Sequence, residues 1–268
     1  ALDTFCVTVP TWISLLSVIF SQSTQPFPPM NLVSIPTAGT MPKGAFTLEM
    51  LLQNNGGLLP KLAVGLTPNF TIGMSYGVQN FIGNDKPIVN REYPEMQIKY
   101  RVYDETIAFP AIVIGLDSQG KGSYNIDGVV NDTLINIERY DQKAWGVYAV
   151  ASKNWNLLGN LGIHIGFSKN SRENKDGDDD INFFCGIDKE LNRSFSLLLE
   201  YDSALNDNKD MYELNGISIG KGYGYLNAGV RWTIAPNLLI EINFNDISKN
   251  TDAKFANREV KIMYSETF

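Results

Sequence analysis

The sequence contains one histidine, His164, and two cysteines, Cys6 and Cys185, in 268 residues. With no CxxC pair and no Cys/His cluster, it excludes a zinc centre. It lacks a basic cluster, and its net charge of −7 argues against a nucleic-acid partner. No stretch approaches the roughly 18 apolar residues of a membrane-spanning helix. No segment has a convincing helical period. These absences leave an all-β protein, and they do not exclude a membrane barrel, whose individual strands carry a weak signal. The length suits a single large barrel.

What the sequence has is alternation. In "EMQIKYRVY", Glu95, Gln97, Lys99 and Arg101 alternate with Met96, Ile98, Tyr100 and Val102. In "LLIEINFN", Glu241, Asn243 and Asn245 alternate with Ile240, Ile242 and Phe244. The pattern predicts about twelve strands, over 45–53, 60–67, 70–78, 95–103, 108–117, 143–152, 158–168, 181–188, 194–202, 222–232, 236–245 and 258–268. A soluble sandwich turns its apolar faces inward and a membrane barrel turns them outward. Alternation alone fits either.

Three features favour the barrel. Short turns, such as "TPN", "KELNR" and "TIAP", alternate along the chain with long loops at 79–94, 118–142, 169–180, 203–221 and 246–257. An up-and-down barrel sorts its loops this way. Aromatic residues (Phe70, Tyr103, Phe109, Trp155, Phe195 and Trp232) stand beside the short turns, as in an interfacial girdle. The closing stretch "REVKIMYSETF" puts Val260, Ile262, Tyr264 and Phe268 on one strand face. That face is the expected signal for barrel-assembly machinery, and the strand itself is expected to close the barrel. The expected fold is therefore an antiparallel, up-and-down transmembrane β-barrel over 45–268, with outer-membrane lipid around it.

The N-terminal part is different. "TWISLLSVIFSQS" holds an apolar run of signal-peptide length followed by small residues, so residues 1–23 read as a secretory signal whose start is truncated or misassigned. Residues 24–44, rich in Pro, Gly and Thr, read as an irregular periplasmic entry segment.

With the polar faces inward, the lumen receives Lys61, Lys99, Arg101, Arg231 and Lys261, together with Glu49, Glu95, Asp117, Glu200, Glu241 and Glu259. The signs nearly balance. Charges confined there must pair or hydrate, so paired side chains are expected to narrow or block the channel. No cofactor is implied. Asp176, Asp178, Asp179 and Asp180 in "SRENKDGDDDIN" could attract calcium, but the spacing fits no EF-hand loop and a solvated extracellular loop is the expectation. The glycines of "GKGYGYLNAG" are expected inside a strand, relieving crowding in the wall. His164 has no Ser or Asp at an evident cross-strand position and reads as a polar lumen residue. A catalytic constellation is therefore not expected.

The stretches "NLVSIPTAGTMPKGAF", "GLDSQG" and "ERYDQKAWGVYAVASKNW" resemble outer-membrane proteins of the YjbH type, most closely over residues 30–165. The resemblance implies a non-enzymatic bacterial outer-membrane barrel linked with exopolysaccharide production, with polysaccharide or export components as partners, and it supplies no catalytic residues. Larger members of that group are much longer, so the likeness is to a single-barrel relative. A passive porin and a soluble β-sandwich binding module are the alternatives.

Overall fold

The computed structural model describes residues 27–83, 88–90, 93–130, 133–208, 213–214, 217–218, 220, 222–251 and 257–268. The expected signal segment, 1–23, with Cys6, lies outside the described residues.

Twelve long antiparallel strands form one closed barrel. They are β1 Ala45–Gln53, β2 Gly57–Thr67, β3 Phe70–Ser75, β4 Glu95–Tyr103, β5 Ala111–Asp117 and β6 Gly146–Asn156, followed by β7 Asn160–Lys169, β8 Asn182–Glu190, β9 Phe195–Asp202, β10 Tyr225–Ala235, β11 Leu238–Asn245 and β12 Asn257–Thr267. Each strand pairs with its sequence neighbours, and β12 returns to β1 in register from Ala45↔Thr267 to Leu52↔Val260. A single closed sheet replaces the alternative of a two-sheet sandwich.

The expected strands match these positions within a few residues. The glycine-rich stretch is the clearest shift. β10 starts at Tyr225, so Gly222 and Gly224 precede the strand, with φ of 77° and 65° that favour glycine. Short turns at 68–69, 104–110, 157–159, 191–194 and 236–237 lie at one mouth with Gly44. Longer connections lie at the other, apart from the one-turn link Asn54–Gly56. The loop 118–145 carries its own hairpin, Lys121–Val130 with Thr133–Gln142.

Polarity across the wall is the reverse of a soluble protein's. Leu48, Met96, Ile114, Phe167, Leu199, Ile242 and Phe244 are exposed outside, while Glu241 and Asn243 are fully buried inside. Such a surface is stable against lipid and costly against water. Four of the six aromatics expected at the short turns pair with one another there, and a further pair closes the seam. Phe195 stacks on Trp232 at 5.8 Å, Tyr103 meets Phe109 at 6.3 Å, and Phe268 stacks on Phe46 at 4.9 Å across the β1–β12 seam.

One region departs from expectation. Residues 27–44, expected as a periplasmic entry segment, run inside the lumen. Pro28, Pro29, Pro36 and Pro42 cannot donate to a ladder, which keeps this stretch out of the wall. Instead it folds on itself, Leu32 N–H to the Ile35 carbonyl and Thr37 N–H to the Met30 carbonyl, both at 3.0 Å. The resulting loop puts Leu32, Val33, Ile35 and Ala38 against Val113, Val150, Phe184 and Leu198 in the buried apolar cluster of the described barrel.

The two faces of β11 predict opposite sensitivities. Ile242→Arg, on the outside, should cost roughly 2–4 kcal/mol if it lies near the midplane, whereas Ile242→Ser should be mild. Unfolding titrations in lipid vesicles measure both; a Ser variant as damaging as the Arg variant would contradict the outward apolar face.

Candidate functional site

The inward residues of β10, β11 and β12 stand in one row. Arg231 is paired with Glu241 in the strand register, and Glu241 with Lys261. Glu241 receives Arg231 Nε at 2.5 Å and Lys261 Nζ at 2.9 Å. The cations have further donors, and these reach the inserted segment. Arg231 donates to the Asn31 carbonyl at 3.2 Å, and Lys261 to those of Leu32 and Val33 at 3.3 and 3.0 Å. Charged donors on carbonyl oxygens make stronger bonds than neutral ones.

Two more charges complete the grip. Glu200, on β9, accepts Ser34 N–H at 2.9 Å and Ile35 N–H at 3.0 Å, and also binds the Ser34 hydroxyl. Lys99, on β4, donates to the carbonyls of Met30 and Thr37. Wall glycines make the space. A Cβ on Gly186 would meet Leu32 Cδ1 at 2.4 Å and Ile35 Cδ1 at 2.7 Å, so any larger residue there must displace these two side-chain tips of the segment.

A third set joins β6, β7 and β8. Ser152, opposite His164 in the register, lies with Oγ 2.7 Å from Nδ1, and His164 Nε2 lies 2.8 Å from Asp188 Oδ1. This corrects the expectation that no Ser or Asp faces His164. Antiparallel register puts residues 152 and 164 side by side although twelve positions separate them, and the neighbouring strand brings in Asp188. The connectivity resembles a nucleophile–base–acid relay. Here, however, Ser152 Oγ also accepts Ala38 N–H at 2.8 Å, and Ser152 and His164 are both 4 % exposed. With Ala38 in place, a carbonyl carbon has no approach to Oγ. The relay holds the inserted segment.

The other expected lumen charges also face inward. Glu49 lies 3.9 Å from Lys61. Glu259 meets Lys121 at 3.8 Å. Asp117 accepts from Gln97 at 3.3 Å and Gln119 N–H at 2.9 Å. Arg101 sits at the short-turn mouth beside Asp104 at 3.4 Å. Glu95 binds Ser118 and accepts the Tyr140 hydroxyl at 3.1 Å.

At the long-loop mouth the loops are tied together. Arg139, with no exposed surface, donates to Asp176 and Asp207 at 2.8 Å each. Lys143 lies 2.7 Å from Asp176. The expectation of a solvated acidic loop therefore fails for Asp176 and Asp178, both 2 % exposed. Asp176 serves the two cations, and Asp178 accepts Asn208 N–H at 3.1 Å. Asp179 pairs with Lys169 at 3.0 Å, and Asp180 is exposed. Glu173 accepts the N–H groups of Tyr140 and Ala144 at 2.7 and 2.8 Å.

Burial would lower the Arg139 guanidinium, but the Asp207 and Asp176 carboxylates outweigh it and hold it above its ordinary value. Burial raises the carboxyls of Glu173 and Asp141 despite the hydrogen bonds they accept, and it lowers the Lys143 ammonium despite Asp176.

The cap yields two expected outcomes. Arg139→Met leaves Asp176 and Asp207 buried with one fewer cation, at a local cost of roughly 3–5 kcal/mol. Proteases should then cut the long loops while the barrel stays folded; unchanged resistance would contradict the tie. The raised carboxyls of Glu173 and Asp141 contribute stability that is complete below the ordinary carboxylate value and lost as pH rises through their folded values. From neutrality to about pH 5, intrinsic-rate-corrected hydrogen exchange in 133–142 should slow, and Glu173→Gln should remove part of that slowing. Faster corrected exchange in acid would contradict the assignment.

No family model and no curated protein matches the chain. Among solved structures, the KdgM porin matches at 8% identity and TM-score 0.48, over 82% of this chain and 98% of that one. The NanC porin matches at 8% identity and TM-score 0.42, over 83% and 99%. An outer membrane channel from Pseudomonas putida F1 matches at 11% identity and TM-score 0.42, over 85% and 97%.

Proposed function

We propose that this chain is a non-enzymatic bacterial outer-membrane barrel whose lumen is closed at rest by residues 27–44, and that it serves the envelope in exopolysaccharide production or export. The observation that carries the membrane part is the inverted polarity of the wall, with Ile242 exposed beside the buried Glu241. The exopolysaccharide part rests on the YjbH-type resemblance. The stretch "NLVSIPTAGTMPKGAF" of that resemblance spans most of the inserted segment and the first residues of β1. A passive porin is the weaker reading, because an unattended pore needs a continuous water path and this lumen holds the chain itself.

Cell fractionation with a heat-modifiability gel tests the membrane reading. The protein should fractionate with the outer membrane and shift mobility only on boiling; a soluble, unshifting product would overturn it. In planar bilayers the resting barrel should carry little current, whereas steady ohmic conductance would favour the porin. Removing the protein from its host should lower secreted polysaccharide, and an unchanged yield would remove that role.

Recognition by assembly machinery is a further part of the proposal. It is supported by Phe268, 89% exposed beyond β12 and stacked on Phe46. Phe268→Asp should reduce insertion in cells while leaving the stability of the barrel refolded in detergent nearly unchanged, since the ring is largely exposed in the folded chain. Normal insertion would show that the residue is not read.

A further inference from the structure

We propose that residues 27–44 are a withdrawable plug: the lumen is a binding site that this segment occupies in cis and leaves through the short-turn mouth. The inference rests on the lumen-closing role proposed above and adds how that closure is released.

The wall does not need the segment for its backbone pairing. Every barrel strand is paired on both sides without it. The segment's backbone bonds to the wall gather at Gly44, whose N–H reaches the Gly65 carbonyl at 2.9 Å and whose carbonyl accepts Phe268 N–H at 2.8 Å. Beyond that point wall side chains do most of the holding, joined by the Thr40 hydroxyl, which donates to the Pro68 carbonyl at 2.9 Å. Gly44 also has φ of 75° with open space where a Cβ would stand, which suits a pivot.

Arg231, Lys261, Glu200 and Ser152 keep partners in both states, whereas Lys99 exchanges the Met30 and Thr37 carbonyls for water in the opened lumen. If the segment leaves, Arg231 and Lys261 still share Glu241, and Glu200 still accepts Asn227 Nδ2 at 2.8 Å. Ser152 keeps His164. Withdrawal therefore does not strand these groups, and a lumen satisfied in two arrangements is what a two-state element requires. Burial of Leu32, Val33 and Ile35 makes the inserted arrangement the resting one.

Space sets the direction. A vestibule of about 900 Å³ adjoins the segment at the short-turn end, lined by Phe27, Met30, Arg193, Arg231 and Lys261. At the other end the space beside Ser34 is about 30 Å³, closed in by residues of the tied loops such as Lys143 and Asp207. The pivot and the vestibule lie at the same mouth.

The test uses the full chain with Cys6→Ser and Cys185→Ser. A reporter, Val33→Cys, is placed on the segment, and a control, Leu59→Cys, on the inner wall; the native residues are 4% and 2% exposed. A polar maleimide is applied to the folded barrel in vesicles, and a heat-modifiability gel confirms that it stays folded. The reporter thiol should label faster than the control thiol. Glu200→Gln, which removes a charged acceptor from the segment's tip, should raise the reporter's rate on the order of tenfold and leave the control's unchanged. A reporter that labels no faster than the control, or a reporter rate insensitive to Glu200→Gln, would overturn the proposal and make the segment a fixed part of the core. Neither result depends on where the barrel resides in the cell or on any polysaccharide role, so failure here is separable from failure of the proposed function.

Discussion

The seam between β1 and β12 is the constraint on which the rest depends. A sheet facing hydrocarbon can leave no backbone group unpaired, because lipid offers no replacement for a lost hydrogen bond. Pairing Leu48 with Tyr264 and Met50 with Ile262 removes both sheet edges. Closure also fixes the inside and outside of every strand, since adjacent side chains point to opposite faces. Apolar residues can then face lipid only if the charged ones face one another.

That requirement creates the second problem, which is filling the lumen. Charges placed opposite one another in the register can neutralise each other, as Arg231, Glu241 and Lys261 do. Their remaining donors take further acceptors when these are within reach. A proline-rich segment supplies them: its carbonyls and N–H groups have no ladder to join, and its apolar side chains cover Val113, Val150 and Leu198. The inserted segment is thus both the hydrogen-bond partner of the lumen charges and the apolar centre of the barrel. At the other mouth Arg139 does similar work between loops, holding two carboxylates that would otherwise be buried against each other.

The wall was legible in the sequence because it rests on a period of two and on loop lengths. Alternation puts Glu241 and Ile242 on opposite faces, the sorted loops and the aromatic girdle say which face is inside, and the paired lumen follows from the balance of signs. The inserted segment was not legible as such. Four prolines and a set of apolar residues in 27–44 indicate an irregular stretch, but pattern alone does not say whether it lies outside the mouth or inside it. Gly186 and Gly229 were the available clue, small residues in the wall where the segment presses. Ser152, His164 and Asp188 escaped for a different reason: their proximity depends on the register of three strands, and alternation gives the face of a residue without its neighbour. The burial of Asp176 in the acidic loop was not legible because its cationic partners, Arg139 and Lys143, lie more than thirty positions earlier.

The central claim, that the chain's own segment fills the lumen, is most directly tested by a cross-link. A Cβ on Gly229 would stand 3.1 Å from Val33 Cγ2, with the Asn243 side-chain amide, 2.3 Å away, turning aside to admit it, and a disulfide holds one Cβ roughly 3 Å from the opposite sulfur. With the native cysteines replaced, Val33→Cys and Gly229→Cys in the folded barrel should oxidise to a bond that makes the boiled, unreduced chain migrate faster than the reduced one. Free thiols at both positions after oxidation, in a barrel that is otherwise folded, would contradict the account.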